Sequence, residues 1–582
     1  MSIIDVFRRG RPRQERERST GVNENGANDI IPASAQNEEL INKIYATFEE
    51  YRSAYMPEWE RLDGCEHIYR GDHWYDIDNQ APNEPRPVTP IIQSTIENVA
   101  SDLMDNFPEA IVQPETPDDE IIARVVNEII KQNHDASGYD KEYWRLSHDL
   151  LVGGYCVQEV GYDPELNNGL GGSYIRHVDI AGVMFDPLIT DIQDSRAIIK
   201  YTPKSLAWLE KHYPDAAPFK GDYYVSDTYS THSDNVLNVD NSKTAMLIEY
   251  WWREYNPSTG RYAVHLVKAA GRKIVEDSRS IKPDGYYKHG KYPFVLTPLF
   301  IRKGSPLGWG IVDMFRTQQR FSDKLDQIVL KNALMSSHNK LLITGSSGFD
   351  AEDLRDWAKE VHEGDSLNGI TWFSTPPLPS YIIEYIQTIR KSIKDESGAN
   401  DFSRGTTNSG VTAASAIAAL QEQASKRARM AARQMHGAYK DAVRMEIEVE
   451  REFNVLPRQV FINNDGAKEA YTFDSAIMVR HTELGNEIPI EFSVSIKVQR
   501  ENKWSIMAHN ELILQIAQIC GGAIGPDAII ELMQFEGKEA VLSKIRAQPQ
   551  QLNVQQNENQ QIIEDMAQVP NPKNLSANMN IS

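Results

Sequence analysis

Glycines beside hydroxyls, carboxylates near lysines, and spaced histidines or cysteines are the sets from which catalytic sites are built. Thr344-Gly345-Ser346-Ser347-Gly348 could cradle a phosphate, but a nucleotide-binding loop needs a following Lys and Ser or Thr. The run opens instead into Phe349-Asp350, so it reads as a turn after a strand. Gly169-Leu170-Gly171-Gly172 lies between two strand-like segments and reads as a hairpin turn. Asp284 with Lys288 and Lys291 loosely imitates the carboxylate–lysine grouping of a metal-dependent nuclease, a grouping any acidic chain of this size offers. His338, His362 and His436 stand alone on expected helices or their ends, without the spacing of a zinc site. Cys65, Cys156 and Cys520 form neither a disulfide framework nor a CxxC pair, a pattern that fits a reducing compartment. No GxSxG elbow is present. Catalytic residues, cofactor and metal ligands are each expected to be none.

Charge narrows the remaining classes. The chain has 582 residues, and its 83 acidic against 61 basic residues give a net charge of −22. Such a field repels phosphates, so any contact with DNA must be local or weak. Arginines 8, 9, 11, 13, 16 and 18 crowd the first 36 residues, which read as a disordered basic arm. No apolar h-region follows them, and no apolar run approaches the ~18–20 residues that span a bilayer.

The elements that would position any site follow from periodicity. Helices are expected at 38–70, 91–106, 118–133 and 139–152, the second aligning Ile92, Ile96, Val99 and Leu103. Strands then dominate, near 155–162, 174–179, 196–201, 245–254, 262–267 and 294–301, with a short helix at 203–213 and a polar loop at 220–243. This is α+β without a βαβ rhythm, in a chain that is helical overall. After Gly304-Ser305-Pro306-Leu307-Gly308 a helix is expected over 309–338, striped by Ile311, Met314, Gln318, Phe321, Leu325 and Ile328. A compact insertion follows, with strands at 341–344 and 369–373 around a helix at 351–361. Ser380 can cap the next helix, 381–396, which aligns Ile382, Ile386, Ile389 and Ile393. The polar, glycine-rich 397–410 then leads into one very long alanine-rich helix over 411–455, on the order of 65 Å at ~1.5 Å per residue. Strands return at 458–498, helices at 502–520, 526–535 and 537–547, and residues 548–582 are Gln- and Asn-rich.

Three stretches carry a resemblance: LGWGIVDMFRTQQRFSDKLDQIVLKNAL at 307–334, TNSGVTAASAIAALQEQASKRARMAARQMHGAYKDAV at 407–443, and IYRGDHWYDIDNQAPNEPRPVTPIIQSTIENVASDLMDNFPEAIVQP at 68–114. In their order they resemble the portal (head-to-tail connector) proteins of tailed double-stranded DNA bacteriophages, most nearly the short-tailed, P22-like type. The likeness runs over roughly 40–547 and lies in the order of parts, not in any single motif. It implies the portal fold. The arm 1–36 would be followed by a wing (37–306), a stem helix (307–338), a clip (339–378) and a second stem helix (379–397). A tunnel loop (398–410), a long wing helix (411–456), wing return strands (457–500), crown helices (501–547) and a C-terminal tail (548–582) would complete it. The short C-terminal end leaves little chain for a helical barrel.

The resemblance also implies partners. Copies would close into a ring, usually a dodecamer, around a DNA channel at one capsid vertex of the virion. Assembly would take place in the host bacterial cytoplasm, against major capsid and scaffolding proteins. The terminase large subunit would dock on the clip during packaging and tail adaptor proteins afterwards. Double-stranded DNA would pass without sequence specificity, and no membrane is involved. Arg404, with Thr406, Thr407 and Asn408, would be the DNA-facing part of the tunnel loop. Asp350, Glu352, Asp353, Glu360 and Glu363 would meet basic partner surfaces on the clip. Apolar stripes on the stem helices would pack between copies and leave polar faces to the lumen. The competing readings are another head–tail adaptor or tail ring protein, and a metal-dependent phage DNA-processing enzyme.

Overall fold

The computed structural model describes residues 33–77, 84–221, 242–257, 260–337, 340–345, 347–355, 359–373, 376–397, 426–454, 456–464, 467–481, 487–498, 503–519, 526–533, 538 and 541. Two compact units result: 1–406 with 424–499, and 407–423 with 500–582. The described residues of the second are α9 (Lys503–Ile519), α10 (Pro526–Leu532) and a few positions beyond them.

In the first unit, helix α1 (Ala33–Tyr69) buries Ile44, Phe48, Tyr51, Tyr55, Trp59, Leu62, Cys65 and Ile68. Steps of three and four keep these on one face, so the long helix serves as a spine for the core. α2 (Ile91–Asp105) buries the expected stripe of Ile92, Ile96, Val99 and Leu103. α3 (Glu120–Ser137) ends at Gly138, whose φ of 69° is the left-handed conformation a residue without Cβ adopts freely. α4 (Tyr139–Val152) follows at once.

The strands are antiparallel throughout. β2 (Tyr155–Asp163) pairs with β3 (Gly172–Val178) on one side and β9 (Phe294–Pro298) on the other. The Gly169 region is the hairpin turn of that sheet, with Asn167, Asn168, Gly169 and Gly171 all at positive φ. A five-stranded sheet runs β4 (Val183–Phe185), β5 (Ala197–Ser205), β6 (Thr244–Asn256), β7 (Arg261–Ala270), β8 (Lys273–Asp277). Helix α5 (Leu206–His212) interrupts it. β1 (Pro108–Pro114) pairs with β18 (Phe492–Val498), so the returning chain is stitched to its early part. Neither β1 nor β8 is visible in hydrophobic alternation, because both are short and partly covered.

β10 (Phe300–Ile301) and β11 (Gly308–Trp309) lead into α6 (Ile311–Ser337). The glycines here permit contact between backbones. A Cβ on Gly154 would stand 2.4 Å from Gly310 N, and one on Gly310 would stand 2.3 Å from Val152 O. At its far end α6 passes to the hairpin β12 (Lys340–Ile343) and β13 (Ile370–Phe373). α7 (Ser380–Ser397) returns alongside α6. The helix expected over 351–361 is absent among the described residues. Only a 3-10 turn, Asp353–Arg355, forms, because Asp350 and Asp353 spend their carboxylates on local bonds.

α8 (Lys426–Phe453) is the described part of the long alanine-rich helix. It buries Ala428, Ala431, Met435, Ala438 and Ala442 against β2, β9, α2 and β3. Small side chains let that sheet approach closely. β14 (Arg458–Asn464), β15 (Ala467–Phe473), β16 (Val479–His481) and β17 (Glu487–Pro489) form two further hairpins.

Candidate functional site

Helix α6 has two faces of opposite character. Towards its own protomer it buries Val312 and Phe315, then Gln319, Ser322, Asp323 and Gln327. Towards solvent it presents Met314, Phe321 and Ile328, which are 45%, 61% and 42% exposed. These three recur every seven residues, two helical turns, and so line up along one side. Of the expected stripe only Ile311 is buried. The face with Gln319, Ser322, Asp323 and Gln327 is turned into the protomer, where its side chains bond a proline-rich loop.

That loop is residues 84–90. Asp323 accepts hydrogen bonds from Thr89 N at 3.1 Å and from Gln319 Nε2 at 3.1 Å, and it faces His73 Nδ1 at 2.5 Å. Gln319 Oε1 accepts from Ile91 N at 3.2 Å and from Ile92 N at 3.4 Å, where the first amides of α2 have no partner within the helix. Gln327 Nε2 donates to Pro85 O at 2.9 Å, standing in for a strand or helix that Pro85, Pro87 and Pro90 preclude. Arg390 of α7 reaches the same place, donating to Asp326, to Thr89 Oγ1 at 3.3 Å and to Ser322 Oγ at 3.3 Å. The α6–α7 pair is thus bonded to the loop that precedes α2. At its root, Arg61 of α1 binds Asp313 and Glu58, and Gly310 N donates to Asp313 at 3.0 Å.

On α7, Ile386 and Ile393 are buried and Ile389 packs against the core, as their spacing indicates. Tyr381, Ile383 and Tyr385 stay exposed near the hairpin end. The hairpin itself exposes Leu342 and Trp372.

Asp350, Glu352, Asp353, Glu360 and Glu363 all fall on the loop between β12 and β13. Asp353 is held by Lys359 and by His362 at 3.3 Å, which keep its carboxyl below the usual range. Asp350, Glu352, Glu360 and Glu363 are exposed, although Asp350 also accepts from Glu352 N at 3.1 Å. The Thr344–Gly348 run is a turn, with Ser347 O accepting from Asp365 N at 2.9 Å. Arg404, Thr406, Thr407 and Asn408 lie outside the described residues, as do His338 and Cys520.

Cys65 and Cys156 are buried, and burial pushes the Cys65 thiol up to about 12. His436 Nε2 donates to Asn106 O, 3.1 Å away, and burial lowers its pKa. Lys288 and Lys291 border an open cleft of about 1290 Å³ that Asp284 does not line. Among the described residues no set of three His, Cys, Asp or Glu is placed to hold a metal ion. Sequence reasoning missed the Gln319–Asp323–His73–Thr89 cluster, since polar residues opposite an apolar stripe read as a solvated face. Their own recurrence, Gln319, Asp323, Asp326 and Gln327 at steps of three and four, was the available signal.

No described helix is long and apolar enough to cross a membrane. The family profile described as phage P22-like portal protein matches residues 45–291. The portal protein of Helicobacter pylori bacteriophage KHP30 is 20% identical over 232 residues, 38% of this chain. The chain spans about a third of that relative's length, 36%. The profile described as phage SU10 portal protein matches residues 170–469, which include the stem pair, the hairpin between its helices and the buried helix α8. The chain therefore belongs to the phage portal protein family.

Proposed function

We propose that copies of this chain close into a ring, a dodecamer on the family's pattern, at one capsid vertex. The ring is the channel through which double-stranded DNA is packaged and ejected, without sequence specificity. The wing contacts major capsid and scaffolding proteins. The hairpin loop with Asp350, Glu352, Glu360 and Glu363 receives the terminase large subunit and later the tail adaptors. The tunnel loop at 398–410, with Arg404, Thr406, Thr407 and Asn408, meets the DNA. The chain is not an enzyme; nucleotide hydrolysis belongs to the terminase, and assembly takes place in the host bacterial cytoplasm.

The observation that supports this reading is the exposed row of Met314, Phe321 and Ile328 on a helix whose opposite face is already bonded. A helix cannot turn that row inward without breaking the Asp323 cluster, so another chain must cover it. A patch that binds a different patch on the next copy closes a ring when the rotation closes. Native mass spectrometry tests this. The full chain should give rings, and Phe321→Glu should give single protomers with a melting temperature within about 2 °C of that of the dissociated wild-type chain. Wild-type particles confined to one or two subunits at every salt concentration would count against the proposal. Shortening 398–409 should leave rings intact and impair DNA retention.

A further inference from the structure

The cleft of about 1290 Å³ lies between the β6–β7 hairpin, the 288–291 turn, β9, the end of α8 and the hairpin β16–β17. Its charge differs from that of the chain. Its carboxylates are occupied: Asp441 by Arg444 at 3.2 Å, Glu448 by Arg451 at 2.6 Å, Glu452 by Lys282, and Asp191 by Gln193 N at 2.9 Å. Arg261, Lys288 and Lys291 are exposed and make no ion pair among the described residues. Arg253 stacks at 4.5 Å on Tyr262. Tyr262 and Ile301, 51% and 78% exposed, add apolar surface at the rim. A cationic cleft with an apolar rim in a chain of net charge −22 suits an acidic, apolar-tipped protein segment.

The same protomer carries such a segment. Glu115, Asp118 and Glu120 are exposed around the 3-10 turn Pro117–Asp119, and Ile121 beside them is 54% exposed. Asp119 is turned inward and fixed by Arg480 at 2.6 Å, so the turn is a rigid knob. Arg480 follows Val479, and Val479 lines the cleft. Consecutive side chains of a strand point to opposite sides, so β16 separates knob from cleft and gives each its own face of the wing. A head-to-tail ring needs that disposition: one patch on each side, complementary but different.

We infer that the knob 115–121 of one copy seats in the cleft of the next, forming a wing-level joint between neighbours. This rests on the ring proposed above. The carboxylates of Glu115 and Asp118 meet Arg261 and Lys291, and Ile121 covers Tyr262 or Ile301.

The full chain tests it by charge exchange, with native mass spectrometry and sedimentation at low and high salt. Arg261→Glu with Lys291→Glu should lower ring association about tenfold at low salt, as should Glu115→Lys with Asp118→Lys. The chain carrying all four changes should regain rings, which a folding defect would not allow. Wild-type rings that ignore both double variants, or a fourfold variant no better than either, would overturn the joint and leave the ring standing. A wild-type chain that never closes overturns both. A short DNA duplex that binds the wild type and is released by the Arg261/Lys291 variant, with rings intact, would assign the cleft to nucleic acid and overturn the joint.

Discussion

His148 and His177 approach Asp149 from α4 and β3, at 3.6 and 2.6 Å. Burial alone would lower the pKa of each histidine, but the hydrogen bond and charge of Asp149 outweigh it, and both are raised. Burial alone would likewise raise Asp149, and the two histidines outweigh it, so its pKa is lowered. Glu66 and Asp179 beside them are pushed up by burial. A histidine raised above its unfolded value of 6.5 stabilises the fold fully below that pH and loses the contribution as pH rises through its folded pKa. Stability from this cluster should therefore be fully present below pH 6.5 and decline as pH rises through the raised pKa values of the two histidines. In urea melts at about pH 6 and at alkaline pH, the stability gap between wild type and His177→Gln should be larger at the lower pH. A gap independent of pH would mean that the ring is neutral in the fold.

At the scale of elements, α6 is held to the body by buried polar bonds as well as by the apolar contacts of Val312 and Phe315. The Asp323 side chain is 2% exposed and serves three donor groups at once. Asp323→Ala leaves Thr89 N and His73 Nδ1 without this acceptor, whereas Gln319 Nε2 keeps Thr89 O at 2.6 Å, a cost of about 1–3 kcal/mol for each buried group left unsatisfied. Hydrogen exchange should quicken in 84–90 and at the start of α2 while α8 stays protected. Uniform quickening would show a general loss of fold and not the release of one loop. This cluster also marks the limit of what periodicity reveals. Ile92, Ile96, Val99 and Leu103 declared their burial because apolar residues at helical spacing have one use in water. Gln319 and Asp323 did not, because a polar side chain is at home in water or against a backbone that lacks partners. The partner loop lies over 200 residues earlier, joined by no pattern a single sequence displays. For a related reason the helix expected over 351–361 is missing among the described residues: Asp350 caps Glu352 N, and Asp353 binds Lys359 and His362. Glu446 and Glu450, fully buried on α8, accept from Ser173 and Asn133 in the same hidden way.

For the whole molecule, a net charge of −22 sets what the proposed channel of many copies could do with DNA. Each basic group that neutralises a phosphate releases a counterion and steepens the fall of affinity with salt. A portal that gripped its genome in that way would have to break every contact for each step of movement. Carboxylates are in surplus, and arginines such as Arg61 and Arg390 are used in internal pairs with Asp313 and Asp326, so the proposed lumen is expected to offer few cations. The assembled wild-type protein should accordingly show weak binding to linear duplex DNA, with log affinity falling against log salt by a slope no steeper than about −2. Filter binding over a salt series measures that slope. A slope near −10, the signature of about ten or more phosphate contacts, would mean that the DNA path is lined with cations and that transport proceeds by repeated release. A shallow slope places the hold on DNA in a few contacts per ring, and Arg404→Ala should then reduce what binding there is without changing ring size.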